Sequence, residues 1–347
     1  MKVLMIGPGR GLKGGISSVV ESYYNVGLDK LVDLDYLETF TDGTKIKKII
    51  FAIKSLLKFT NKAKDSDIVH IHMSSRGSFY RKSLFVKKAY KMNKKIIIHI
   101  HGSEFQKFYK NECNSIQKKY VQNILNKSNK VIALSEEWKY ILSEIVEHNK
   151  VNVLYNSIEI KSVVDNKNYE EKKVLFLGRI GKRKGVYDIL EVAPRIISNH
   201  PNVKFIIAGD GEVDNVKSLC KDIGIENNVT ILGWTSGDEK TKLLSEATVY
   251  LLPSYNEGMP ISILEAMAYK LPIISTNIGG IPQLVTNNIE GYLFNAGNLN
   301  ELESILNNVL SSEKLRKTLG ENSFNKVEKE FNIEKNIYRL CSIYREC

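Results

Sequence analysis

The chain has little cysteine and places none of it in pairs. Cys113, Cys220, Cys341 and Cys347 show no C-x-x-C spacing, which excludes a disulfide framework or a zinc ribbon and implies reduced thiols. Long apolar runs are missing as well: nothing approaches the ~18 apolar residues of a membrane span, and Val3 to Ile6 is too short for the core of a signal peptide. These absences predict a cytosolic protein. There is no low-complexity segment, and the basic stretches lack an aromatic stacking pattern or a recognisable nucleic-acid-binding motif, so nucleic acid is not an expected partner. What remains, 347 residues with 43% apolar and 26% charged, is an ordinary globular composition with length for about two domains.

Acid is scarce in one half only. Residues 1 to 165 hold 28 Lys and Arg against 16 Asp and Glu, and residues 166 to 347 hold 22 against 23. A basic first half calls for a negatively charged partner, and an anionic membrane surface fits best. Within it "KIKKIIFAIKSLLKF", residues 45 to 59, sets Ile46, Ile49, Ile50, Ile53, Leu56 and Leu57 on one helical face, with Lys47, Lys54 and Lys58 largely elsewhere. Such a helix can lie on lipid. The commoner fate of an amphipathic helix is to pack its apolar face into a core, and that is the expectation here.

Short apolar runs at Val3 to Ile6, Ile68 to Ile71, Ile96 to Ile100 and Val131 to Leu134 alternate with amphipathic segments. The rhythm restarts at Val174 to Leu177 and continues at Lys204 to Ala208, Val229 to Leu232, Val249 to Leu252 and Ile273 to Ser275. This is the βαβ pattern of parallel sheets, given twice. "KVLMIG" at Lys2 is echoed by "KVLFLG" at Lys173. The pattern predicts an α/β protein of two doubly wound domains, residues 1–157 and 173–332, with a polar linker at about 158–172. A last helix at about 333–347 is expected to pack back on the first domain. Sheets of this kind bind ligands at the carboxyl ends of their strands.

Several loops there carry chemistry. "GPGRGLKGG", Gly7 to Gly15, holds five glycines in nine residues, and Gly9-x-Gly11-x-x-Gly14 meets the dinucleotide-binding spacing. "GRIGKRKG" sets Arg179, Lys182, Arg183 and Lys184 between Gly178 and Gly185. It is not a P-loop, yet glycines let the backbone come close and converging Arg and Lys would neutralise a diphosphate; a solvated basic turn is the alternative. "NEGMPISILEAMA" places Glu257 in the loop after a strand and Glu265 in the first turns of a helix that Pro260 would start. Ionised carboxylates accept pairs of sugar hydroxyls, although a surface Glu and a helix-stabilising Glu would look the same.

His70-Ile71-His72 and His99-Ile100-His101 end neighbouring strands with each pair on one sheet face. Four histidines suggest zinc in principle, but no Asp, Glu or Cys supports the cluster, so no metal is expected. His101, followed by Gly102, is placed to touch a substrate; His70 and His99 read as structural. Two D-x-D tripeptides, Asp33-Leu34-Asp35 and Asp65-Ser66-Asp67, lack a phosphate loop and read as structural.

Together "GGISSVV", "HIHG", "YNSIE", "FLGRIGKRKG", "IAGDGE", "SYNEGMPISILEAMA" and "GGIPQLV" resemble the retaining GT-B glycosyltransferases of the large family-four type. The resemblance covers nearly the whole chain and is strongest from Lys173 to Phe294. It implies two Rossmann-like domains facing across a cleft, a nucleotide-sugar donor on the second, an acceptor mainly on the first, no metal and no cofactor. Arg179 and Lys184, in the loop opened by Gly178, would grip the donor diphosphate. Glu257, with the N–H groups of Gly258 and Met259 and with Ile261 beside them, would orient the donor sugar, and Glu265 would accept the ribose hydroxyls. His101 would contact the sugar near the reacting carbon, Gly14 and Gly15 would close over the diphosphate, and Asp210, Gly211 and Trp234 would lie near the base. Gln283 stands where the family commonly has Glu, and Met259-Pro260 replaces more usual residues, which leaves the donor sugar open.

The function this implies is transfer of a sugar, from a UDP-sugar first of all, to a lipid-linked or oligosaccharide acceptor in bacterial capsule, exopolysaccharide or O-antigen synthesis. The enzyme would sit peripherally on the inner face of the cell membrane. Three rivals stay open at this point. They are a sugar-nucleotide epimerase of the same fold, an NAD-dependent oxidoreductase using Gly9-x-Gly11-x-x-Gly14 with an acid at Asp33, Asp35 or Glu38, and a non-catalytic membrane adaptor.

Overall fold

The computed structural model describes residues 1–12, 14–160 and 167–347. Lys13, within the G-x-G-x-x-G stretch, and residues 161–166, within the expected linker, lie outside the described residues. The chain separates into a first unit, Met1–Glu159 with Ile333–Cys347, and a second, Ile160–Asn332.

The first unit is built on six parallel strands, β1 Lys2–Gly7, β2 Asp33–Glu38, β3 Ile68–Met73, β4 Lys95–Ile100, β5 Lys130–Ala133 and β6 Val151–Val153, in the order β2-β1-β3-β4-β5-β6. All six residues of β3 and five of β4 are buried. A sheet covered by helices on both faces needs such unbroken apolar runs rather than alternation. Leu4, Ile6, Val69, Ile71, Ile96 and Ile98 meet Phe79, Phe85 and Phe105 from the covering helices in one core. The strand order reverses at β1, which has β2 on one side and β3 on the other.

The helix Lys45–Lys64 starts on a Thr44 side chain that accepts from Lys47 N. Its buried residues are Ser55, Phe59 and Ala63, and Phe59 meets the edge of Phe85 at 5.5 Å between centroids. The isoleucine stripe points the other way: Ile46, Ile49, Ile50, Ile53 and Leu57 are exposed, from 48% at Ile50 to 71% at Ile46. The expectation that this face packs into the core is therefore overturned. Apolar spacing told which residues share a face, but the smaller Ser55–Phe59–Ala63 face fits against the sheet layer. Leu56, grouped with the stripe by sequence, turns toward the core.

The helix Ile333–Arg345 completes the first unit, with Ile337, Leu340, Ile343 and Tyr344 buried and Ile333 N donating to Ile158 O. All four cysteines are free thiols. No helix among the described residues is long and apolar enough to cross a membrane.

The second unit repeats the plan with β7 Lys173–Leu177, β8 Lys204–Ala208, β9 Val229–Leu232, β10 Val249–Leu252, β11 Ile273–Thr276 and β12 Gly291–Phe294, in the order β12-β11-β10-β7-β8-β9. The order reverses at β7, which lies between β8 and β10. Strands β6 and β12, unread in the sequence, are short edge strands that begin or end near loops. In doubly wound sheets the ligand crevice opens outside the carboxyl ends of the strands at such a reversal.

Candidate active site

At the reversal of the second sheet the loops after β7, β8 and β10 come together, and glycine makes the approach possible. A Cβ on Gly209, at φ +155°, would stand 1.8 Å from Gly178 O, and one on Gly185, at φ +73°, would stand 1.8 Å from Pro253 O. Asp210 O accepts from Ile180 N at 2.6 Å and Ile180 O from Glu212 N at 3.0 Å. Arg183 O accepts from Tyr255 N at 2.9 Å and from Ser254 Oγ at 3.1 Å, while Arg183 Nη1 donates to Asn256 O at 3.0 Å.

These bonds bring together two of the residues singled out by sequence. Lys184 Nζ forms an ion pair with Glu257 Oε1, their side chains 14% and 6% exposed. Desolvating both charges offsets much of their attraction, so the pair holds position more than it stabilises the fold. Arg179 lies beside it in sequence, exposed, and has no ion pair among the described residues. Gly258 O accepts from Gly280 N at 2.6 Å, Met259 is buried, and Ile261 is the first residue of the helix Ile261–Ala268. No side chain caps that helix, so its first N–H groups point at whatever occupies the loop.

Glu265, in the middle of that helix, pairs through Oε1 with Lys240 Nζ at 2.7 Å. Lys240 comes from the helix Gly237–Glu246. Nothing in "SGDEKTKLL" marked it, because the pairing crosses between helices rather than along one. Asp210 and Gly211 follow β8, and Trp234, exposed, follows β9. Gln283 keeps a buried Oε1 with no partner among the described residues.

In the first unit the reversal lies between β1 and β3. A Cβ on Gly14 or Gly15 would meet nothing within 4 Å, so the entry to the helix Gly15–Asn25 is open. Two of the three acids that an NAD site would use already have partners, and the third, Asp33, is exposed. Glu38 Oε1 accepts from Arg10 N at 2.8 Å, and Asp35 pairs with Lys62 at 2.6 Å.

The four histidines form one stack, with His99 and His101 centroids 4.0 Å apart and His70 and His72 4.5 Å apart. His72 Nδ1 and His101 Nε2 share a hydrogen bond of 2.8 Å, and His70 Nδ1 one of 2.7 Å with Tyr344 OH. Burial pushes the His70 and His101 pKa values down to about 3, helped at His101 by the charges of His70 and Lys82. His72 and His99 are lowered by burial and by their neighbours in the stack. All four are neutral near pH 7. Lys82 is itself buried, and burial followed by the Arg81 charge lowers it to about 7.

One ring nitrogen each of His70, His72 and His99 lies within 4.8 Å of the others, and each of these residues has a buried ring nitrogen unpartnered among the described residues. The set carries no carboxylate or thiolate to offset a divalent ion, and Lys82 adds positive charge. Its chemistry is a poor match to a metal. His101, by contrast, is only half-buried by surface exposure and stands just past β4.

Comparison with known proteins follows the same division. Residues 34–162 match the model described as Glycosyltransferase Family 4, and residues 157–326 the model described as Glycosyl transferases group 1. The chain is 28% identical over 338 residues to the UDP-Gal:alpha-D-GlcNAc-diphosphoundecaprenol alpha-1,3-galactosyltransferase of Escherichia coli, spanning 91% of this chain and 84% of that protein. It is 28% identical over 230 residues to the capsular polysaccharide biosynthesis glycosyltransferase CapM of Staphylococcus aureus, spanning 62% and 60% of the two. Anabaena HepE in complex with UDP shares the fold over the full length of both chains, with a TM-score of 0.79 at 17% identity.

Proposed function

We propose that this chain, which belongs to the glycosyltransferases of the family 4 and group 1 type and has their GT-B fold, moves a sugar from a UDP-sugar to a lipid-linked saccharide in bacterial surface polysaccharide assembly. Transfer retains configuration and needs no metal. The observation that carries the reading is the Lys184–Glu257 pair at the strand-order reversal of the second sheet. The HepE complex with UDP and the diphosphoundecaprenol in the name of the E. coli relative support the donor base and the acceptor class. The basic first half supports work at an anionic membrane surface, on its inner face.

The residues divide the work by charge and reach. Lys184 has three N–H donors, one given to Glu257, which leaves two for diphosphate oxygens; Arg179 adds a second cation at the exposed side. Glu257 turns its other oxygen, with the Gly258 and Met259 N–H groups and the helix start at Ile261, to the sugar hydroxyls. Glu265, steadied by Lys240, accepts the ribose hydroxyls, and Asp210, Gly211 and Trp234 border the base. Gly178 keeps the loop close to the phosphates.

In the reaction the acceptor hydroxyl oxygen bonds to the anomeric carbon as the bond to the diphosphate oxygen breaks. That leaving oxygen takes the hydroxyl proton on the same face. Charge grows on the diphosphate, and the cations Arg179 and Lys184 offset it where a metal otherwise would. His101, neutral, would serve a substrate as a hydrogen-bonding partner rather than as a source of charge.

Arg179→Ala and Lys184→Ala are each expected to lower turnover by ~10²-fold or more, as for a lost transition-state charge contact. The exposed Arg179 variant should melt as the wild type does, whereas Lys184→Ala should also lower the melting temperature because it leaves the buried Glu257 carboxylate unpaired. Near-normal turnover in either would remove that residue from the mechanism. UDP release that does not depend on added acceptor would point instead to an epimerase.

A further inference from the structure

We propose that the helix Lys45–Lys64 is a membrane-docking element that lays Ile46, Ile49, Ile50, Ile53 and Leu57 into the boundary between headgroups and acyl chains of an anionic bilayer. The five residues follow the spacing i, i+3, i+4, i+7 and i+11, so they form a single stripe along three turns. All five are exposed. Isolated surface aliphatics need no explanation, but a contiguous row does.

The helix is held so that the row faces outward. Ser55, Phe59 and Ala63, about half a turn around from the stripe, are its buried residues. Ser55 Oγ donates to Glu38 O at 2.7 Å, Phe59 meets Phe85, and Lys88 Nζ from the helix Arg76–Lys91 donates to Leu56 O at 2.9 Å. Turning the stripe inward would break all three contacts.

Charge decides what covers it. Between Gly43 and Lys64 there are seven lysines and no Asp or Glu. Lys47, Lys54 and Lys58 flank the stripe along one side. A second copy packed on the same face would set lysine rows against each other, and a nucleic acid would leave the isoleucines in water. A bilayer bearing anionic lipid satisfies both features at once, aliphatics below the headgroups and ammonium groups among them.

The inference rests on the lipid-linked acceptor reading for its purpose, but the two fail separately. Full-length protein is sedimented with vesicles of equal parts phosphatidylglycerol and phosphatidylcholine, without donor or acceptor. The wild type is expected to bind. Ile49→Ser/Ile53→Ser/Leu57→Ser should weaken partitioning by ~10²-fold or more, since several buried aliphatic side chains are lost from the bilayer. Lys47→Gln/Lys54→Gln/Lys58→Gln should weaken it about tenfold or more on these vesicles and scarcely at all on phosphatidylcholine alone. These side chains are exposed or flank the stripe, so both variants should melt as the wild type does, and transfer to a short-chain, water-soluble acceptor should persist. Full vesicle binding by the isoleucine variant overturns the proposal. So does a wild-type dimer that this variant turns to monomer without any vesicle binding. Vesicle binding with no sugar transfer under any acceptor would instead count against the glycosyltransferase reading and leave the docking helix standing.

Discussion

Each of the four stacked imidazoles is neutral in the folded chain and free to take a proton in the unfolded one. For a base whose folded pKa is depressed, the unfolded state binds more protons between the two pKa values, so stability falls as pH falls through that window. His70 and His101 are lowered to about 3 from an ordinary value of 6.5, which puts the window between about 6.5 and 3. The histidine contribution to stability is expected to drop below pH 6.5 by as much as ~1.4 kcal/mol per pH unit for each such histidine, while Lys82, lowered to about 7, makes stability rise with pH above 7 in the same sense. Denaturant midpoints at stepped pH would show it, and His99→Phe should flatten the slope. A midpoint independent of pH between 7 and 5 would mean the stack titrates normally. The same residue scale shows what a sequence can reveal about a site. Arg179, Lys184, Glu257 and Glu265 stood out by spacing, since loop and helix positions are local. Lys240 against Glu265, Tyr344 against His70 and the buried Lys82 did not, because each depends on elements that meet only after folding.

At the level of elements the strands were legible because burial on both faces demands continuous apolar runs, and the edge strands β6 and β12 were not because short edges do not demand it. The direction of the isoleucine stripe was illegible for a different reason. Periodicity groups residues onto a face, but only neighbouring layers decide whether that face is inside. The glycine loops invite a comparison between two costs. Gly224 has φ +70° with open space around its Cβ position, whereas Gly185 has φ +73° and a carbonyl 1.8 Å from it. Gly224→Ala should cost only the left-handed conformation, ~1 kcal/mol. Gly185→Ala should cost ~3 kcal/mol or more, because the loop must part from Pro253. It should also weaken UDP binding, read by calorimetry, since Lys184 and Glu257 would no longer be held together. Equal stability losses in the two variants would show that backbone strain, not the close approach, governs that loop.

The charge division of the whole chain, basic to residue 165 and near neutral after it, coincides broadly with the division into units, but the covalent order does not. The last thirteen helical residues, Ile333–Arg345, belong to the first unit although all of the second intervenes. Their buried row, Ile337, Leu340, Ile343 and Tyr344, fills part of the first unit's core, so that core is complete only when the chain's end has been placed. Leu340, fully buried, tests this. Leu340→Asp would bury an unpaired carboxylate and remove aliphatic contacts, at a cost of ~3 kcal/mol or more. That loss should fall on the first unit. In a thermal melt with and without UDP, the transition that UDP raises, which the proposed donor site assigns to the second unit, should stay where it is in the variant, while the other moves to lower temperature. Both transitions falling together would show that the two cores unfold as one, and neither falling would show that the final helix is dispensable to the first.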